Sequence, residues 1–260
     1  MNRRAAGILI LCLLCFVRIS PAQEITLAAA ADLQFAFPDV TARFQKDTGK
    51  RVKLIFGSSG NFFTQIQNGA PFDLFFSADI DYPRKLEAAG LAEPGTLYEY
   101  ATGKLVLWVP SESKLDLSRG LKVLLDPGIK KIAIANPQHA PYGRAAVAAL
   151  QREGIYDKVA EKFVLGENIS QSASFVASGS AGIGIVALSL ARAPAMKEKG
   201  RYVEIPGDEY PAIQQAAVIL KSSKQKETAR QFLDYLKTAV MLDLLKTYGF
   251  SVSRDPSSAP

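Results

Sequence analysis

From Glu24 onward, short apolar runs alternate with segments of helical spacing, and nothing else in the chain limits its fold so tightly. The run at 25–29 reads as a buried strand. A helix follows over about 33–47, closed by Gly49, with Pro38 in its first turn or two allowing a later start. A second strand is expected at 52–56, a helix at 62–68 stopped by Gly69, a third strand at 73–76, and a helix at 82–89 ended by Gly90. A second series begins at Lys104, with strands at 105–109, 131–135, 163–165 and 183–186. Helices at 142–153 and 170–177 lie between them. A strand at 215–220 and helices at 224–236 and 240–247 close the chain. Ser222 and Gln225 have capping-box spacing for the first of these helices, and Gly249 stops the second. Such alternation predicts an α/β chain whose parallel sheet is covered by helices on both faces. Two series without a long linker predict two lobes and a cleft.

The first 22 residues stand apart. Asn2-Arg3-Arg4 gives a positive start, 8–17 is an unbroken apolar run, and Ser20-Pro21-Ala22 offers small residues at a cleavage site. This is the pattern of a secretory signal peptide cut after Ala22, and the run is short for a membrane span. The only cysteines, Cys12 and Cys15, leave with it, so the mature chain has no disulfide, thiol nucleophile or thiolate metal site. A lipid anchor is not expected. Arg3, Arg4 and Arg18 leave too, with no acid, so the formal charge falls from +6 to +3. That is too mild to argue for nucleic acid. The expected location is the periplasm. The Ser/Pro-rich tail 255–260 is expected to fray.

In open α/β sheets, ligands bind outside the carboxyl ends of strands. Four such places share one character: Ala28-Ala29-Ala30-Ala31-Asp32, Gly57-Ser58-Ser59-Gly60, the stretch 136–143 (NPQHAPYG), and Gly166-Glu167-Asn168-Ile169-Ser170. Each puts small or polar residues where a helix begins. The first N–H groups of a helix lack internal partners and sit at the positive end of its dipole. Several such ends facing one cleft bind an anion without Lys or Arg, and serine hydroxyls add donors. Ordinary turn and N-cap chemistry accounts for any one of these loops equally well. Pattern alone leaves both readings open.

The segments "AAAADL", "GSSGNFFTQIQNGAPFDLFFSAD", "GKLVLW", "IANPQHAPYG" and "GENISQ" occur in that order. Together they resemble the periplasmic molybdate-binding proteins of ABC transporters over 24–252. The resemblance implies the two-lobed type II periplasmic binding protein fold with a ligand cleft between its lobes. It puts 23–102 and 214–260 in the first lobe, where the C-terminal helices pack, and 103–213 in the second. It implies a monomer that captures molybdate, and tungstate with it, and delivers the anion to an inner-membrane ABC permease. No cofactor, catalytic residue or directly coordinated cation is implied, since the metal arrives as its oxyanion. The family's ligand positions fall on Asp32 with Ala31 beside it, on Ser59 with Ser58 adjacent, and on the backbone N–H groups of Tyr142 and Ile169.

Two positions depart from the family pattern. Some members carry a tyrosine in the turn after "GIGIV", where this chain has Ala187. The first loop usually offers Ser, Thr or Asn, and here it offers Asp32, an acceptor when ionised. Three roles stand open for Asp32: a cap of its own helix turned away from the anion, an acceptor for a proton carried by the ligand, or a hard ligand for a metal. The runner-up function follows from the second role, a binding protein for a protonated oxyanion such as phosphate or arsenate. A rival of another class is an exported serine hydrolase using Ser59 with His139, the only histidine. His139 itself reads as a loop residue packed near the cleft. The stretch 179–184 (GSAGIG) precedes a strand and so reads as a turn instead of a nucleotide loop. Trp108 fits core or hinge packing.

Overall fold

The computed structural model describes residues 24–252. The signal expected at 1–22 and the tail at 255–260 lie outside the described residues. The chain opens with β1 (Glu24–Ala30), α1 (Ala36–Thr48), β2 (Arg51–Gly57), α2 (Ser59–Gln67), β3 (Leu74–Ser77), α3 (Asp81–Ala88) and β4 (Tyr98–Gly103). It continues with β5 (Leu105–Pro110), β6 (Ile132–Ala135), α4 (Pro141–Arg152), α5 (Tyr156–Val159), β7 (Phe163–Gly166), α6 (Ile169–Ala177) and β8 (Ile183–Ala187). Then come α7 (Leu188–Ala191), α8 (Pro194–Lys197), β9 (Gly200–Glu204), β10 (Ile213–Ile219), α9 (Lys226–Leu236) and α10 (Ala239–Thr247).

These strands form two five-stranded sheets, in the orders β2-β1-β3-β10-β4 and β7-β6-β8-β5-β9. The expectation of a parallel sheet needs correction, because both are mixed. In the first sheet β10 runs antiparallel to β3 and β4. In the second β5 runs antiparallel to β8 and β9. The parallel pairs are β1–β2 and β1–β3 in the first sheet and β6–β7 and β6–β8 in the second, and between their strands the chain stays in the same sheet, where helices can supply the crossovers that parallel pairing needs. By contrast β5 and β10 are the strands on which the chain arrives from the other sheet, with only Lys104 between β4 and β5.

The first sheet is apolar on both faces. Leu27, Ala29, Leu74, Phe76, Ala217 and Ile219 join one core cluster, while Ala28, Phe75 and Val218 join a second. That is the period-two alternation of a strand with both faces covered. The helices α1, α9 and α10 lie together on one side, where Phe232 of α9 meets Phe37, Phe44 and Phe76. On the other side α2 and α3 cover the sheet. In the second sheet α4 and α6 both contact β6 and β8. Trp108 on β5 is fully buried there.

Several boundaries differ from those the sequence predicts. The first long helix starts at Ala36, after a short 3-10 turn at Ala31–Leu33. That puts Pro38 third in the helix, where its missing N–H has no partner to lose. The second helix starts at Ser59, three residues before the expected 62. Strands β4 and β9 have no counterpart in the sequence reading. Both are sheet edges with mixed polar sequence, YEYATG and GRYVE. The capping box of Ser222 and Gln225 does not form: Gln225 takes the N-cap place of α9 without a side-chain bond, and Ser223 Oγ accepts the Gln225 N–H at 3.1 Å.

Candidate functional site

The carboxyl ends of β1, β2, β6 and β7 point at one small cavity. Ala31, Asp32, Ser58, Ser59, Tyr142 and Ile169, all six residues singled out in the sequence, line it. Ala78, Ala140, Pro141 and Asn168 complete much of the wall, and the lining contains no Lys, Arg or His. The room for the centre of a water-sized sphere is about 10 Å³, the scale of one bound water, roughly 10–15 Å³. Drug-sized pockets of ~300–1,000 Å³ are far larger. Only a compact solute fits.

The two serines divide the work that the sequence left open. Ser58 is the N-cap residue of α2 by position, yet its side chain makes no cap bond. Its hydroxyl donates to the His139 carbonyl at 2.7 Å and lies 2.9 Å from His139 Nδ1. A hydroxyl has one proton. With that proton on the carbonyl, Nδ1 can bond Ser58 only in the tautomer that carries its hydrogen there. Ser59 is 1% exposed, and its Oγ accepts the Ala78 N–H at 2.9 Å. That bond orients the hydroxyl and leaves its proton to donate into the cavity. The hydrolase reading pairs Ser59 with His139; the residue beside His139 is Ser58.

The second sheet supplies amides. Helix α4 begins at Pro141, which has no N–H, so Tyr142 carries the first free amide of that helix. Helix α6 begins at Ile169, and the Asn168 side chain caps the Gln171 N–H at 3.0 Å. The Ile169 amide is thus left over at the positive end of the helix. Both amides belong to residues of the cavity wall.

Asp32 corrects an expectation. It does not cap its helix: the N-cap places of both the 3-10 turn and α1 lack side-chain bonds. Instead Oδ2 accepts from Tyr142 Oη at 3.0 Å and from Gln215 Nε2 at 2.6 Å. Oδ1 is buried without a partner. Burial raises the Asp32 carboxyl to about 6, against the opposing pull of the Gln215 and Tyr142 hydrogen bonds. The same burial, with the Asp32 charge beside them, pushes Tyr100 and Tyr142 well above the usual phenol range. Tyr100 also donates to Gln215 Oε1 at 2.8 Å, and Ser189 donates to the Asp32 carbonyl at 2.8 Å. Gln215, Tyr100 and Ser189 escape the sequence reading. Only Gln215 leaves a trace there, as one of two adjacent glutamines, with Gln214, in a strand whose other residues are apolar. The metal-ligand role for Asp32 has no support, since among the described residues no three His, Cys, Asp or Glu cluster together.

Contacts across the cleft ring the cavity. The Gly60 N–H donates to the His139 carbonyl at 2.9 Å. Arg144 of α4 meets Asp79 at 2.5 Å and stacks over Tyr82 at 5.6 Å. Asn61 pairs with Glu167, and Ser170 with Gln34. His139 Nε2 lies 3.7 Å from Glu167. Ala187 is buried at the end of β8 and is not part of the cavity wall. Residues 179–182 form the turn before β8, with Gly179 at φ 74°, and 183–184 open that strand.

Residues 25–251 match the family described as bacterial extracellular solute-binding protein. The molybdate-binding protein of Azotobacter vinelandii is 41% identical over 231 residues, 89% of this chain and 91% of that one. The molybdate-binding protein of Rhodobacter capsulatus is 40% identical over 229 residues, 88% of each chain. The solved Azotobacter vinelandii periplasmic molybdate-binding protein superposes with a TM-score of 0.84 at 38% identity, covering 88% of this chain and 99% of that one. With four strand-to-helix loops closing on one cation-free cavity, and with these relatives along nearly its whole described length, the chain belongs to the bacterial extracellular solute-binding proteins, in the family of the periplasmic molybdate-binding proteins.

Proposed function

We propose that this chain captures molybdate, and tungstate with it, in the periplasm and hands the anion to an inner-membrane ABC permease. A cleaved signal over 1–22 would export it, and it would act as a monomer without a cofactor. The observation that carries this reading is the donor set: the Ser59 hydroxyl and the first amides of α4 and α6 reach one buried cavity that holds no cationic side chain. Donors of that kind hold an oxyanion by dipoles and geometry, as at other helix N-termini. They come from both sheets, so closure of the two lobes completes the site. No bond is made or broken. Molybdate and tungstate are fully deprotonated at neutral pH and need only donors, whereas phosphate carries a proton and wants an acceptor.

One observation favours the runner-up. Asp32 Oδ1 is a buried oxygen without a partner, and as a carboxylate it would accept the proton of a protonated oxyanion. Calorimetric titration of the mature protein with molybdate, tungstate, sulfate and phosphate separates the two readings. Tight binding of molybdate with weak or absent binding of phosphate is expected. A preference for phosphate overturns the molybdate reading.

A further inference from the structure

Among the described residues two buried side-chain polar atoms lack a partner, Trp108 Nε1 on β5 and Asp32 Oδ1. Only Asp32 belongs to the cavity wall. Its other oxygen is engaged twice, by Tyr142 and by Gln215, so Oδ1 is the oxygen left to meet a solute. An anion with no protons cannot donate to that oxygen. Two negative groups would then face each other in a cavity whose lining holds no positive side chain.

The elements packed around Asp32 contribute neutral groups, Tyr142 from α4, Gln215 from β10, Tyr100 from β4 and Ser189 from α7, and α6, which packs on the Asp32 turn, carries no charged side chain. The charged groups nearby stand at the rim and are already paired, Arg144 with Asp79 and Glu167 with Asn61 and His139. Nothing neutralises Asp32 except a proton.

We propose that Asp32 takes up a proton as the anion is captured, and that its Oδ1–H then donates to the bound oxyanion. The inference rests on the oxyanion-binding reading above. The proton comes from solvent while the cleft is open, and closure buries it with the anion. Burial already favours the neutral acid, and the dianion pushes in the same direction. The sign follows from linkage: binding that takes up a proton weakens as pH rises, by up to about tenfold in affinity per pH unit. Asp32 thereby becomes a fourth donor toward a deprotonated oxyanion. A ligand that brings its own proton would compete for the same oxygen.

The test is molybdate titration at pH 7 in two buffers of different ionisation enthalpy, which counts protons exchanged on binding. Uptake approaching one proton is expected in the parent and none in Asp32→Asn. The parent's affinity alone, followed from pH 6 to 8, should fall with pH, a measurement that needs no variant. Flat affinity, or binding without proton uptake, overturns the proposal while leaving anion capture intact. Uptake that persists in Asp32→Asn also overturns it, because the proton then goes to another group. Failure of the parent to bind molybdate at any pH overturns the function and this inference together.

Discussion

Replacing Ser59 with alanine probes the site at its most specific point. The side chain is 1% exposed, accepts the Ala78 amide at 2.9 Å and has its proton left for the ligand. A hydrogen bond to a charged group contributes about 1.5–3 kcal/mol. At 1.4 kcal/mol per factor of ten, losing it raises Kd about 10- to 150-fold. The substitution also strands the Ala78 amide, and an unpaired buried donor costs about 1–3 kcal/mol. That second cost is felt most with the cleft closed, because water can reach the amide when it is open, so it adds to the loss of affinity. Ser58→Ala provides the contrast. Its hydroxyl is turned to the His139 carbonyl, so the change removes a contact across the cleft and not a ligand donor; a loss below about tenfold is expected. Calorimetry with molybdate measures both, and thermal unfolding without ligand checks that each variant folds. A Ser59→Ala protein that binds within about twofold of the parent, or one that binds better than Ser58→Ala, refutes the assignment.

Gly60→Ala should abolish tight binding, because a Cβ there would lie 2.6 Å from the His139 carbonyl and 2.8 Å from Tyr82 Oη, and relieving the first contact parts the loops of the two sheets; unimpaired affinity sinks this. Tyr142→Phe keeps the amide and loses only the hydroxyl that meets Asp32 and Gln215, so molybdate affinity should stay within about tenfold; a larger fall puts that hydroxyl on the anion. Asp32→Asn should stabilise the protein in a pH-dependent way. Its folded pKa is raised from 3.8 to about 6, so the stability associated with the protonated acid is fully present below about 4 and is lost as pH rises through 6. The variant's advantage should therefore grow across that window to about 2–3 kcal/mol and stay flat above it, as read by denaturant unfolding at pH 4, 5, 6 and 7; a pH-independent difference refutes it.

The central strands are legible because each is a run of apolar residues between glycine or polar breaks, as at β1, β3 and β6. The loops at their carboxyl ends follow, and with them the six residues of the cavity wall that the sequence singles out. Edge strands are not legible. In β4 and β9 one face or one end meets water, so the sequence carries no unbroken apolar signal. Antiparallel insertion of β5 and β10 is hidden for another reason: strand direction is set by where the chain crosses between sheets, and no local pattern encodes that. The start of α2 is obscured because Gly60, a poor helix former, stands in its first turn, where the structure needs a backbone without a side chain against His139. Asp32 reads locally as a cap, and that reading fails. Its partners Tyr142 and Gln215 are 110 and 183 residues away in sequence.

An uncharged donor set of this kind can couple capture to closure. A helix N-terminus acts on an anion with about 0.3–1 kcal/mol when exposed and up to ~2 kcal/mol when partly buried, so no single end suffices. The first sheet brings Ser59 and Asp32; the second brings the amides of Tyr142 and Ile169. Closing these groups on each other without an acceptor between them would bury several unpaired donors, each costing about 1–3 kcal/mol. The bonds that closure forms across the cleft, Gly60 to His139 and Arg144 to Asp79 among them, work against that cost. Arg144 and Asp79 are partly exposed, at 38% and 25%, so their pair contributes little by itself. An oxyanion would satisfy these donors at once and remove that cost, so its binding would favour the closed arrangement. The ligand thus shifts the population through the hydrogen bonds it completes, and a solute that leaves one donor unpaired shifts it less.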